Sequence, residues 1–159
     1  MRLWRAAAAW LLVAVAMAAA AQPTVLPMHD IVEALRPLAK RELASAPPSL
    51  ALAIDFEPNS SRVRPSSGPV LGNLVAALLT PELKASRFVI EGHSDARGAA
   101  SADQRLSQDR ADEVRLYLVA LGVPAARLRA VGKGAVSEPA NAADPLAAPA
   151  LNVRVVVLE

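Results

Sequence analysis

Two residues of opposite charge stand out by type and spacing. Asp95 lies in the run FVIEGHSDARG at Phe88–Gly98, and Arg110 in LSQDRA at Leu106–Ala111. The first run reads as a strand that ends in a small loop displaying an acid. The second reads as a helix that displays a guanidinium. Asp95 falls just past the carboxyl end of its strand, where α/β sheets tend to bind ligands. Gly92 and Gly98 flank it and allow a tight loop whose amides can face a ligand. Leu106, Arg110 and Val114 recur every four residues, so all three project from nearly one helix face. A guanidinium beside an apolar stripe needs an anionic partner or a route to water. Two arrangements satisfy these facts. Asp95 and Arg110 pair with each other, or both converge on a zwitterion, with Arg110 gripping its carboxylate and Asp95 accepting from its ammonium. Asp95 can also form an Asx-turn with its own backbone. Spacing alone does not choose among these.

Other chemistries find less support. His93, Ser94 and Asp95 are the residue types of a hydrolytic triad, but three consecutive residues cannot supply nucleophile, base and orienting acid in sequence. His93 reads as a structural histidine. His29 and His93 lie far apart and cysteine is absent, so neither a metal site nor a cofactor is expected. Arg154, preceded by Asn152, reads either as a sheet-face ion-pair arginine or as lining for the edge of the site.

The elements that must hold these residues follow from periodicity. At 159 residues the chain is long enough for one good core. Met1–Ala21 has Arg2 and Arg5 ahead of an apolar run and small residues before Gln22, the pattern of a cleaved signal peptide. Ala6–Ala21 is shorter than the roughly 20 residues needed to span a bilayer. The two surplus arginines both lie in this leader. Without them 15 basic side chains balance 15 acidic ones, which argues against nucleic acid as a partner. Residues 22–48 read as a helical segment and proline-rich linker: Met28–Ala46 is helical but interrupted at Pro37, so kinked or in two parts, and Pro47-Pro48 separates it from the rest.

From residue 49 to 159 the signals alternate. Leu50–Phe56 has strand period, with Pro58–Ser61 ending it. Ser66 and Ser67 can cap a helix carrying Leu71, Leu74, Val75 and Leu78, which Pro81 stops. Arg87–Gly92 is a second strand. Ser101 and Gln104 fit a capping box for a helix running to about Leu121, and Gly122 stops it. Leu128–Lys133 and Leu151–Leu158 complete a β-α-β-α-β-β order. The expected fold is an α+β two-layer sandwich, a mixed sheet with helices on one face.

These residues resemble the OmpA-like peptidoglycan-binding domain of outer-membrane protein A and peptidoglycan-associated lipoprotein. The resemblance covers roughly Leu50–Glu159. It rests on Ile54-Asp55-Phe56 with Asn59-Ser60, on GHSD-x-x-G at Gly92–Gly98, on LS-x-x-RA at Leu106–Ala111, and on Leu116–Gly122, Gly132-Lys133-Gly134 and Asn152–Val155. It implies a non-catalytic periplasmic module that grips the free end of diaminopimelate in peptidoglycan stem peptides. The family's aspartate falls on Asp95 and its arginine on Arg110, with Asn59, Ser94 and Ala96 lining the pocket. Two departures matter. Asp103 stands where the family usually has asparagine, and adds an acid that either repels a ligand carboxylate or serves its ammonium. Val153, Ala148 and Pro149 replace basic or glycine residues near Arg154. The resemblance implies tethering of the outer membrane or an envelope complex to the wall, with Met28–Ala46 facing an envelope protein or forming a homodimer. The alternative is an assembly module that kept the fold and lost the ligand.

Overall fold

The structure is a computed structural model that describes residues 25–37, 47–94, 99–135 and 152–158. The elements are α1 (Met28–Leu35), β1 (Ser49–Leu52), α2 (Gly68–Leu78), β2 (Arg87–Ser94), α3 (Ala100–Ala120), β3 (Leu128–Ala135) and β4 (Val153–Leu158). From β1 onward this is the expected β-α-β-α-β-β order. The sheet runs β1-β4-β2-β3. β4 is antiparallel to both neighbours and β2 is parallel to β3, so the sheet is mixed. The parallel pair needs a crossover, and α3 supplies it.

Alternation decides which face each strand buries. Phe88 and Ile90 of β2, Val153, Val155 and Val157 of β4, and Leu52 of β1 point into one core with Leu71, Leu74 and Leu78 of α2 and Val114 and Leu118 of α3. Both helices therefore cover the same face. α3 stops in a Schellman turn: Gly122 takes φ 104°, and the amides of Gly122 and Val123 donate to the carbonyls of Val119 and Leu118. Among the described residues no helix is long and apolar enough to cross a membrane.

The interruption expected at Pro37 is present: α1 ends at Leu35, because Arg36 precedes Pro37 and adopts an extended conformation. Several other local expectations are corrected. The stripe of α1 does not stand apart for a partner: Ile31 and Leu35 are fully buried in the common core, and Asn73 Nδ2 of α2 donates to the Leu26 carbonyl at 3.0 Å. Residues 38–46 and the leader at 1–21 lie outside the described residues. Ser67 does not cap α2. Its Oγ accepts the Asp55 amide at 2.7 Å, while Ser66 Oγ donates to Asp55 Oδ2 at 2.8 Å, so both serines tie the helix start to the segment after β1. Nor does a capping box form at Ser101. α3 starts at Ala100, and Gln104 instead reaches β3. β1 is shorter than its sequence period, because past Leu52 the Asn152 side chain replaces a strand partner. Its Oδ1 accepts the Ile54 amide at 3.0 Å and its Nδ2 donates to the Ile54 carbonyl at 2.6 Å.

Candidate functional site

The site begins with how closely α3 lies on the sheet. A Cβ on Gly92 would collide with the Ser107 carbonyl, and one on Gly132 with the backbone of Gln108. Gly92 therefore permits helix–strand contact, whereas its spacing had read as loop freedom. Side chains of α3 then bond the backbone of β3. Gln108 Oε1 accepts the Gly132 amide at 2.7 Å, and Gln104 Nε2 donates to the Gly132 carbonyl at 2.8 Å. Ser107 Oγ accepts the Gly134 amide at 2.8 Å, where Gly134 sits at φ 70° beside an irregularity in the β2–β3 register. This network fixes the height and rotation of the helix over β2.

With α3 so placed, Asp103, Ser107, Arg110, Ala111, Val114 and Leu118 form its buried face. Arg110 is 8% exposed. Its guanidinium lies 4.8 Å from the Phe56 ring centroid, and Nε donates to the Ser60 carbonyl at 3.2 Å. A cation over an aromatic face gains roughly 0.5–2 kcal/mol, more when water is excluded. Phe56 and Ser60 belong to one tight hairpin. Phe56 pairs with Val63, the Glu57 amide donates to the Arg62 carbonyl at 2.9 Å, and Asn59 takes φ 51° at the tip. Asparagine tolerates that left-handed conformation better than most residues. The Asn59 side chain is exposed beside the residue that meets Arg110.

Ser94 ends β2 on the helix-facing side and is 2% exposed, and its Oγ has no hydrogen-bond partner. Buried hydroxyls are nearly always satisfied, which makes Ser94 Oγ an exception among the described residues. Asp95 and Ala96 lie outside the described residues. The structure thus buries Arg110, Ser94 and Asp103 on the helix–sheet side and leaves Asn59 exposed next to Ser60, whose carbonyl Arg110 holds.

Arg154 is not part of this group. It alternates with buried Val153 and Val155, is exposed, and faces the other side of the sheet, opposite Glu91 in the register. That side carries Glu91 in a 3.2 Å ion pair with Lys133, and His93. Burial lowers the His93 pKa first; Glu91 opposes that shift and the cations Arg154 and Lys133 add to it. His93 is a strand residue whose amide donates to the Asn152 carbonyl at 2.8 Å.

Sequence reasoning missed Phe56, Ser60 and Asn152 as partners of the site. Asn152 ties the ends of β4, β2 and the Ile54 segment together. The one available signal was the polar Asn152 set ahead of an alternating valine run.

Residues 55–152 match the OmpA family. The chain belongs to the OmpA family. It is 37% identical over 79 residues to outer membrane protein A of Shimwellia blattae, an overlap covering 50% of this chain and 33% of that protein. The chain thus spans about a third of the length of that curated relative. Two solved structures extend the OmpA-family likeness. The peptidoglycan-associated lipoprotein from Burkholderia pseudomallei is 28% identical, with a TM-score of 0.50, covering 69% of this chain and 87% of that one. The cell wall anchor of the T6SS from Pseudomonas aeruginosa is 27% identical, with a TM-score of 0.51, covering 69% and 78%.

Proposed function

We propose that this OmpA-family chain is a non-catalytic envelope module that binds peptidoglycan through the diaminopimelate of its stem peptides. The observation that carries the reading is the buried cation Arg110 on the inner face of α3, over Phe56, together with the Ser94 hydroxyl buried without a partner at the end of β2. In this reading Arg110 takes the ligand carboxylate through its planar fork, and Asp95, next to Ser94 in the chain, takes the ammonium. Ser94 and Ala96 line the pocket, with Asn59 at its rim. Partial exclusion of water strengthens both contacts beyond their value at the surface. The names of the two solved neighbours, a peptidoglycan-associated lipoprotein and a cell wall anchor, support the wall as partner. The leader expected at residues 1–21 would deliver the domain to the periplasm, where a repetitive polymer turns weak single-site binding into firm attachment.

Co-sedimentation with purified, diaminopimelate-containing peptidoglycan tests this directly. Wild type pellets with the wall, and Asp95→Ala and Arg110→Ala each weaken binding by about tenfold or more. A wild type that stays in the supernatant, or two variants that pellet as well as wild type, would favour the assembly module instead.

A further inference from the structure

Asp103 is 7% exposed, and its carboxylate makes no hydrogen bond or ion pair among the described residues. It lies near Ser94. Gly92 is level with Ser107 and Ala111 of α3, as their contact distances require. Ser94 is two residues further along the same strand face, about 6.6 Å. Asp103 is one turn back along α3 from Ser107, about 6 Å. Both displacements run toward the same end of the sheet, since Gly134, two residues past Gly132, meets Gln104 rather than Gln108. A mostly buried acid, with no hydrogen bond or ion pair among the described residues, and a fully buried hydroxyl without a partner therefore sit at one level of the helix–sheet gap. Arg110 lies two turns along, and its Nε already serves the Ser60 carbonyl.

We propose that Asp103 and Ser94 form a receiving pair for a hydrogen-bond donor on the ligand, which makes the site select diaminopimelate whose carboxylate is amidated. The proposal rests on the diaminopimelate reading above. A free carboxylate offers only acceptors, which suits Arg110 but not a neighbouring anion. A primary carboxamide offers an oxygen for Arg110 and two N–H groups for Asp103 Oδ and Ser94 Oγ, and carries no charge for Asp103 to repel. A competing role for Asp103 is local: in the first turn of α3 an acid is favoured by the helix dipole. That role needs no ligand and confers no selectivity.

The test uses the full chain and two synthetic tripeptide stems ending in meso-diaminopimelate, one with the free side-chain carboxylate and one with its amide. Calorimetry should give about fivefold tighter binding of the amide by wild type. Asp103→Asn should bring the two stems within about twofold by strengthening the free acid, and Ser94→Ala should weaken the amide alone. Equal binding by wild type, preference for the free acid, or a ratio that Asp103→Asn does not move overturns this proposal and leaves the diaminopimelate reading standing. Binding of neither stem overturns both.

Discussion

Arg127 and Arg110 each hold a guanidinium over a phenylalanine ring, at 5.5 Å from Phe88 and 4.8 Å from Phe56. Around Arg127 the local polar groups close on one another. Its Nε donates to the Ser86 carbonyl at 2.9 Å, and its Nη2 to those of Leu78 and Leu83 at 3.0 and 2.7 Å. Those carbonyls belong to the end of α2 and the turn after it, backbone groups that a helix terminus leaves open. On the inner face that Arg110 shares, the Ser94 Oγ at the end of β2 is buried without a hydrogen-bond partner. The same side chain over the same ring type is a strut in one place and, in the reading proposed above, a ligand-binding group in the other. Arg127 is tied to three backbone carbonyls, whereas Arg110 reaches the hairpin at Phe56–Ser60.

Substitutions can break this contrast. Arg127→Ala leaves three carbonyls without their charged donor and should lower stability by about 3 kcal/mol. In a thermal melt that is a fall in Tm of about 10 °C. Wall binding per folded molecule should not change. Arg110→Lys should do the reverse. It keeps the charge but loses the planar fork, weakening peptidoglycan binding about tenfold in co-sedimentation while costing less than about 1 kcal/mol of stability. A large Tm loss with intact binding would make Arg110 a second strut. The smallest effect belongs to the opposite sheet face. Burial lowers the His93 pKa in the folded state, so the unfolded chain takes up the proton first as pH falls. The stability contributed by neutral His93 is complete above its ordinary value of 6.5 and declines as pH drops through it. Urea melts at about pH 5.5 and 7.5 should show this decline. His93→Gln should shrink it without altering wall binding.

Patterned elements were legible in the sequence, and their junctions were not. Alternation located β2 and β4, and the four-residue spacing put Arg110 and Val114 on one buried face of α3. Alternation also held the answer for Arg154, since valines on both sides that face the core force it outward. The roles of Gly92, Ser67 and Gln104 could not be read. Each depends on how near another element comes, and no local period records that distance. Phe56 and Ser60 reach Arg110 across about 50 residues of chain through a hairpin whose fold-back is not written in hydrophobic pattern. The apolar stripe of α1 was visible, but its destination was not, because an amphipathic helix looks alike whether it meets its own core or another molecule.

The bonds from α3 to β3 have a consequence for crowding. Among the described residues β3 is an edge strand, and an open edge is a template for another chain. Here Arg115 Nε donates to the Leu128 carbonyl at 2.9 Å, and Gln104, Ser107 and Gln108 occupy backbone groups of Gly132 and Gly134. The helix thus occupies backbone groups along part of that edge, as a neighbouring strand would. A second chain finds those backbone groups already taken, so the side chains that level α3 over the sheet also hinder edge-to-edge stacking through β3.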